Sequence, residues 1–201
     1  RWDHIAQMWS RKTEMENGYY AFNDLHAVIA FVGAGRFDAA NEVLSAVEAA
    51  AQQNNGTTRM MAEDVGIPSC RAMIDFGQQR YAQVIQQLLP IRTVAHRFGG
   101  SHAQRDILTQ TLIESALRDG NLKLANNLIS ERKLHKPFTP LSQRFAARLT
   151  ALAYKFRARE MFEYDFDIRP RRSIARQRRE QRLEVIDHRD NAVAGPLLAL
   201  A

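Results

Sequence analysis

Apolar side chains recur at helical spacing along almost the whole chain up to about residue 160. Residues three or four apart share one face of a helix, so this spacing predicts amphipathic helices that pack against one another. No run in that span alternates apolar and polar residues as a half-buried strand does. The pattern predicts an all-α domain over residues 1–160 and an extended basic tail with an apolar end over residues 161–201.

One phrase marks three breaks between helices. It reads GRFDAA from residue 35, QRYAQV from residue 79 and GNLKLA from residue 120, at spacings of 44 and 41 residues. Glycine tolerates the positive φ of a tight helical hairpin, which suits Gly35 and Gly120. The second copy has Gln79 there, and because Gly77 lies two residues earlier, we expect its turn to be shifted.

Two further positions of the phrase suit a hairpin. The large apolar residue after each turn is predicted to plug the hairpin top, and the residue three positions later is small enough for the two helices to approach. The plug positions are Phe37, Tyr81 and Leu122, and the small positions are Ala40, Val84 and Ala125. Stacked hairpins of this length are typical of helical-repeat arrays, which expose an extended groove.

Capping residues and prolines predict where several helices begin and end. Asn23 or Asp24 is expected to cap the first repeat helix. Pro68 suits the first turn of a helix, and Pro90 is expected to bend or end the next one. Ser101, after a diglycine, is expected to begin the helix of the third hairpin.

A last helix, over about residues 140–160, would cover the end of the stack. A terminal helix of this kind closes the exposed apolar face of a repeat array. Together these features predict an all-α helical-repeat array of about three hairpins and a capping helix.

Two motifs carry a family resemblance. The stretch YYAFNDLHA from residue 19, which runs into AFVGAGR from residue 30, and the stretch GGSHAQRD from residue 99 resemble the C-terminal part of the tetratricopeptide-repeat protein 38 family. The resemblance covers roughly residues 1–155 and implies that the three hairpins and the capping helix form a tetratricopeptide-like α-α superhelix. It implies no settled activity, and it does not account for residues 160–201.

The first motif supplies one set of candidate binding residues. Tyr19, Tyr20 and His26 are candidates for the groove or for a junction between hairpins. If Asn23 or Asp24 caps the helix, its side chain is occupied by backbone amides and His26 leans toward the groove or the neighbouring hairpin. We favour the alternative in which His26 is a hydrogen-bonded structural residue.

The second motif supplies the other set. A helix N-terminus after Gly99 and Gly100 has free amides that can receive a small anion, steadied by Arg105. His102 and Asp106 share a helical face, but a serine next to its histidine on a helix cannot point its oxygen at the imidazole. Ser101 and His102 therefore do not act together as a nucleophile and its general base. We favour Asp106 as a brace between hairpins that holds Arg105 or His102.

Composition limits the classes of protein to which the chain can belong. The chain has 201 residues, 45% of them hydrophobic, which is enough for one ordinary core,. It has no run of the roughly 20 apolar residues that a membrane helix needs, which predicts a soluble protein without a transmembrane segment. The single Cys70 excludes an intrachain disulfide, agrees with a cytoplasmic location and is expected to be buried,. Because the chain begins at Arg1, we interpret it as a trimmed or partial product.

Cofactor motifs are lacking in the sequence. The six histidines are scattered, without the close spacing that preorganises a zinc site,. There is no phosphate loop, and Gly33 and Gly35 follow a helical stretch where a dinucleotide fingerprint needs a strand. We therefore assign no metal and no cofactor.

The tail differs from the rest of the chain in charge. Residues 169–182 hold seven arginines and one acidic residue, Glu180, so this run carries a charge of +6. The whole chain also has a formal charge of +6, so the charges of its other residues sum to zero. Arginine suits phosphate and carboxylate groups, so this run is a candidate for nucleic acid or an acidic surface. We favour a solvated arginine segment because no aromatic residues are interleaved with it. The candidate contacts are Arg171, Arg172, Arg176, Arg178 and Arg179.

Two apolar segments flank the arginines. Residues 163–168 alternate acidic and apolar side chains, including Tyr164 and Phe166, which predicts an extended segment able to add to a partner,. The chain ends in an apolar stretch that includes Leu197 and Leu198. Such a tail suits wrapping around a protein partner or a second copy of the chain, and a simple disordered extension is the alternative.

Three functions remain open from the sequence. The favoured one is a scaffold or assembly subunit that binds protein partners through the groove and the tail. The second is an enzyme or small-anion-binding protein with a pocket between residues 23–26 and residues 101–106. The third is a nucleic-acid-binding subunit that uses residues 169–182. A binding role is favoured over catalysis.

Overall fold

The computed structural model describes residues 1–53 and 55–168, with the side chains of residues 13–16 and 160–168 excepted. Every regular element in these ranges is helical, as the sequence predicts for residues 1–160. The α-helices are α1 (Trp2–Glu16), α2 (Ala21–Gly33), α3 (Phe37–Gln53), α4 (Thr57–Met61), α5 (Ile67–Gly77), α6 (Tyr81–Ile91), α7 (His102–Arg118), α8 (Leu122–His135) and α9 (Pro140–Ile168). No helix among the described residues is both long enough and apolar enough to cross a membrane.

Three helix pairs are hairpins closed by the same turn. The first hairpin is α2–α3, the second is α5–α6 and the third is α7–α8. Their turn residues Gly35, Gln79 and Gly120 have positive φ values of 71°, 61° and 75°. In each turn this residue's N–H donates to the carbonyl three residues earlier and the next N–H donates to the carbonyl five residues earlier, at 2.8–3.4 Å. This is the Schellman arrangement that satisfies the last carbonyls of a helix.

The expected shift of the second turn is wrong. Gln79 takes the place that glycine takes in the other two hairpins, and α5 ends at Gly77, two residues before it, as α2 and α7 end two residues before theirs. A side chain at positive φ costs about 1–2 kcal/mol. The two capping hydrogen bonds and the packing of the hairpin outweigh that cost.

The small residues of the phrase, here called the seam residues, are buried. Ala40, Val84 and Ala125 are all 0% exposed. Small side chains at such positions let two helix backbones approach closely. The predicted burial of these three residues is confirmed.

The plug residues contact the next hairpin along the chain. The ring of Phe37 would lie 3.0 Å from a Cβ added at Gly77, the last residue of α5. The hydroxyl of Tyr81 accepts a hydrogen bond of 2.9 Å from Arg118, the last residue of α7. In both cases the residue two positions after one turn residue contacts the residue two positions before the next turn residue.

Helix starts are predicted less well. α2 begins at Ala21 with Tyr20 at its N-cap and no side-chain cap, so the prediction that Asn23 or Asp24 caps it is wrong. Both residues lie inside the first turn of the helix. Pro68 does lie at the start of α5, and α6 ends one residue after Pro90.

The stretch before α5 contains elements that the pattern did not resolve. α4 continues through a π-helical turn (Ala62–Gly66) into α5. Gly66 lies against Ala21, and a Cβ there would come within 2.6 Å of the alanine methyl. Cys70 of α5 is fully buried, as expected, and burial beside Asp24 and Glu48 raises the pKa of its thiol.

The last helix is longer than predicted. α9 packs against α7 and α8 through Phe145, which is 2% exposed, and through Leu149 and Leu152. It continues to Ile168, so the extended conformation predicted for residues 163–168 is wrong. Adding a residue to an existing helix gains a backbone hydrogen bond without a new nucleation cost. The preference of six alternating residues for an extended conformation does not outweigh this gain.

Candidate functional site

The two sequence motifs meet in space. A Cβ added at Gly99 would collide with the hydroxyl of Tyr20, and one added at Gly100 would collide with the ring of Phe22. Both glycines also have positive φ, at 90° and 71°. The diglycine therefore lets the start of α2 pack directly on the chain that leads into α7. Tyr19, next to this junction, is 81% exposed.

His26 is part of an aromatic cluster at the same junction. Its Nδ1 donates to the carbonyl of Phe22 at 2.7 Å. Its ring lies 4.5 Å from the ring of Phe22 and 6.4 Å from that of Trp9, and Phe22 packs edge-on against Phe98. With Nδ1–H donating to a carbonyl, the neutral ring carries its free lone pair on Nε2. His26 is therefore hydrogen-bonded, as in the alternative favoured from the sequence, although the side-chain cap that went with that alternative is wrong.

Asp24 is a buried carboxyl with one weakly bound oxygen and one unbound oxygen. The residue is 3% exposed. Its Oδ1 accepts the N–H of Gly18 at 3.2 Å, whereas its Oδ2 is buried without a hydrogen-bond partner in the part of the chain that the structure describes. Burial raises its pKa to about 6, against the opposing effects of the Gly18 amide and Lys12,. Asn23, one residue earlier, is half-buried.

Polar groups of the second motif bind one another. Ser101 caps α7: its Oγ accepts the N–H of Gln104 at 3.3 Å, and its own N–H donates to Gln104 Oε1 at 2.8 Å,. Arg105 donates to the carbonyls of Gly99 and Gly100. These bonds use the Gln104 amide and one nitrogen of Arg105, two of the donors that we assigned to a small anion, while His102 is exposed. The expected helix start at Ser101 is confirmed.

Asp106 is braced by residues other than those predicted. It receives two hydrogen bonds from the Arg132 guanidinium, at 2.5 and 2.9 Å, one from Gln110 at 2.8 Å and an ion pair from Lys136 at 3.1 Å. Burial opposes its charge, but these donors together lower its pKa to about 2. Asp106 therefore joins α7 to α8 within one hairpin, and the prediction that it holds Arg105 or His102 is wrong.

The arrangement supplies no assembled nucleophile and base. Among the described residues, the structure shows no hydrogen bond between either histidine and Ser101, Asp24 or Asp106, and no three His, Cys, Asp or Glu side chains converge as metal ligands. His26 is packed against rings, and Ser101 Oγ is used as a helix cap. The chemistry of this junction is that of a packed, hydrogen-bonded contact between elements.

A second buried carboxylate escaped the sequence reasoning. Glu114 of α7 is 1% exposed and accepts hydrogen bonds from Arg118, at 2.6 Å, and from Arg148 of α9. Burial opposes its charge, but the two arginines lower its pKa. Arg118 also lies over the rings of Phe76 and Tyr81. The spacing of four residues between Glu114 and Arg118 is the one signal of this network in the sequence.

One cavity lies between the first and second hairpins. Its volume is about 180 Å³. Its lining comes from α3, α5, the N-cap of α6 and the middle of α6, and consists of Asn41, Leu44, Arg71, Ile74, Asp75, Arg80 and Gln87. None of these residues belongs to the two motifs.

The candidate residues of the tail are outside this description. Tyr164 and Phe166 belong to α9, but their side chains are not described. The remaining tail candidates lie outside the described residues, namely Arg171, Arg172, Arg176, Arg178, Arg179, Leu197 and Leu198.

In comparison with known proteins, the chain matches no family model, and no solved structure matches it.

Proposed function

We propose that this protein is a protein-interaction scaffold or assembly subunit built as a tetratricopeptide-like α-α superhelix. The observation that carries the proposal is the repetition of one hairpin geometry. Three hairpins share a Schellman turn, and their seam residues Ala40, Val84 and Ala125 are fully buried. The resemblance to the C-terminal part of the tetratricopeptide-repeat protein 38 family agrees with this architecture.

Contacts between successive repeats support a stacked array. Phe37 lies on the last residue of α5, and Tyr81 binds the last residue of α7. Each hairpin in such an array contacts only its neighbours, so the array presents a long surface whose exposed side chains are not needed for the core. A long exposed surface without an assembled catalytic group suits the binding of another protein.

The proposed binding surface includes the exposed end of the first motif. Tyr19 is 81% exposed beside the packed junction of Tyr20 with Gly99. A large aromatic side chain on a rigid support is a frequent anchor in protein interfaces. The basic tail is the second proposed element, and it acts as an anchor for the partner.

The test is a purification from the native source under mild conditions, followed by reconstitution. A protein that travels with the full chain in fixed stoichiometry is purified separately, and its affinity is measured by calorimetry. Tyr19→Ala should weaken binding, whereas Tyr154→Ala is the matched control because Tyr154 is 79% exposed on α9 and outside both motifs. Truncation after Ile168 keeps every described helix and isolates the contribution of residues 169–201, the part of the tail that holds the arginines.

The same purification separates the competing functions. RNA that travels with the full chain, is lost on truncation after Ile168 and dissociates steeply with salt would replace the scaffold with a nucleic-acid-binding subunit. A monomer with a bound metabolite, and no protein partner that binds the purified chain, would overturn the proposal in favour of an enzyme or ligand carrier.

A further inference from the structure

The second hairpin departs from the other two at three related positions. Counted from the turn residue, these positions lie eight and four residues before it and eight residues after it. The second hairpin has Arg71, Asp75 and Gln87 there. The equivalent residues are Ala27, Phe31 and Val43 in the first hairpin and Leu112, Ala116 and Leu128 in the third, none of them more than 2% exposed.

The three substituted positions line one cavity. Arg71, Asp75 and Gln87 all border the space of about 180 Å³ between α3 and the second hairpin. Where the other hairpins fill the corresponding positions with apolar side chains, this one has polar groups around an open volume. Polar groups in such positions cost stability unless they are fully paired, so departures from a local rule of this kind are typical of functional sites.

One acceptor in this lining is left without a donor. Asp75 is 7% exposed, with Oδ1 bound to Arg80 Nε at 2.7 Å and Oδ2 bound to Gln87 Nε2 at 2.6 Å. The carboxylate accepts only, which fixes the orientation of the Gln87 amide. The Oε1 of Gln87 is then buried with no hydrogen-bond partner among the described residues. A donor from a ligand would satisfy it.

Two arginines at the same cavity have N–H donors with no partner in the part of the chain that the structure describes. Arg71 donates through one nitrogen to Glu48 at 2.6 Å, and its side chain is 53% exposed. Arg80 binds Asp75 and is 48% exposed. A guanidinium has five N–H donors in a plane that matches a carboxylate, so both groups can bind a further anion while they keep their present partners.

The volume limits what enters. About 180 Å³ is smaller than the roughly 300 Å³ at which drug-sized ligand pockets begin,. A single side chain suits this space better than a drug-sized ligand does. Glu48 and Asp75 each pair with one arginine, so the groups left for a ligand are the remaining guanidinium N–H donors and Gln87 Oε1. They favour a group that brings both an anionic acceptor and an N–H donor.

We propose that this cavity binds an acidic side chain of the protein partner, whose carboxylate accepts from Arg71 and Arg80 while a peptide N–H beside it donates to Gln87 Oε1. The inference rests on the proposed scaffold function and names the chemistry of one contact in it. Its test uses a small probe and is therefore independent of which partner is found.

The probe is N-acetyl-glutamate N′-methylamide, titrated into the full chain labelled with nitrogen-15. Saturable shifts are expected in the arginine Nε–H and glutamine amide signals of the cavity residues. N-acetyl-glutamine N′-methylamide has the same shape without the charge and should bind at least about tenfold more weakly, because a charge-assisted hydrogen bond contributes about 1.4 kcal/mol or more.

Two variants locate the binding. Arg71→Gln should weaken the probe by at least about tenfold. Arg59→Gln is the matched control, because Arg59 is 50% exposed and is likewise paired with a glutamate. Gln87→Leu restores the residue type of the third hairpin, removes the unpaired oxygen and should abolish binding.

The outcomes separate this inference from the scaffold proposal. Equal binding of the two probes, no saturable shift, or equal weakening by Arg71→Gln and Arg59→Gln would overturn the inference even if a protein partner is found. Probe binding at the cavity, lost in Arg71→Gln, would support it. A reconstituted partner whose affinity is insensitive to Arg71→Gln would overturn the inference while the scaffold function stands.

Discussion

Asp24 and Asp106 are two carboxyls near the starts of α2 and α7, and their pKa values are shifted in opposite directions. The pKa of Asp24 is raised to about 6, and that of Asp106 is lowered to about 2. Both are desolvated, but among the described residues Asp24 accepts one backbone hydrogen bond and feels the charge of Lys12, whereas Asp106 binds a guanidinium, an ammonium and an amide. The comparison shows that burial alone does not decide the charge of a carboxyl; its donors do.

The largest expected effect comes from removing the charge of Asp106. Asp106→Asn leaves the buried guanidinium of Arg132, 4% exposed, without its counter-charge, so the free energy of unfolding at pH 7 should fall by about 3 kcal/mol,. Urea denaturation measures this loss. Asp119→Asn, an exposed aspartate near the end of the same helix, is the control and should change the stability little,. Equal losses in the two variants would show that the Arg132 pair does not brace the hairpin.

The two carboxyls also predict opposite dependences on pH. The folded-state pKa of Asp106 lies below its ordinary value of 3.8, so its contribution is present above that value and is lost as the pH falls toward about 2,. The folded-state pKa of Asp24 lies above 3.8, so the stability from its protonated form is complete below that value and is lost as the pH rises through about 6,.

Asp24→Asn should act in the opposite sense to Asp106→Asn. An amide keeps an oxygen for the Gly18 N–H and removes a desolvated charge, so the variant should gain about 1–2 kcal/mol over the wild type at pH 7,. The gain should vanish by about pH 4, where the wild-type carboxyl is protonated in the folded state. Denaturation midpoints at several pH values measure it. A variant less stable than the wild type at pH 7 would mean that Asp24 is stabilised as an anion.

Local sequence signals predicted the hairpins. Gly35 and Gly120 marked turns because a short turn with positive φ is a demand of the backbone itself. Gln79 was misjudged because its turn is set by the packing of the hairpin and not by its own preference. Residues 163–168 were misjudged because a six-residue alternation was weighed without the helix that leads into it.

The site residues were predicted less well for a different reason. The partner of Asp106 is Arg132, 26 residues away on the next helix, and nothing in the motif distinguishes it from the nearer Arg105. Tyr20 packs on Gly99 across the fold, so the two motifs form one junction. The sequence cannot show this, because the two motifs are far apart along the chain. The polar residues of the cavity stand out only after the three turns are aligned.

A smaller effect tests the unequal starts of the two helices. α7, which carries Asp106, begins with a capping box, whereas α2, which carries Asp24, has no side-chain cap. Ser101→Ala should cost about 1 kcal/mol, and Ser101→Asp should restore most of it because aspartate is an equally good cap. Hydrogen exchange of the Gln104 amide should quicken in the alanine variant alone. Unchanged protection in that variant would show that the cap contributes nothing to α7.

The smallest effect is expected at Gln79, in the turn of the second hairpin, which lies along the chain between α2 with Asp24 and α7 with Asp106. Gln79→Gly relieves about 1–2 kcal/mol of left-handed strain but costs about 0.5–1 kcal/mol of backbone entropy, so a net gain of about 0.5 kcal/mol is expected,. Gln78→Gly, where φ is −91°, has the entropy cost without the relief and should be destabilising,. If the domain unfolds as one unit, the gain should be the same whether unfolding is followed near Asp24 or near Asp106. A gain confined to one of them would show that the two carboxyls belong to separately unfolding parts of the array, as a chain of nearest-neighbour repeats allows.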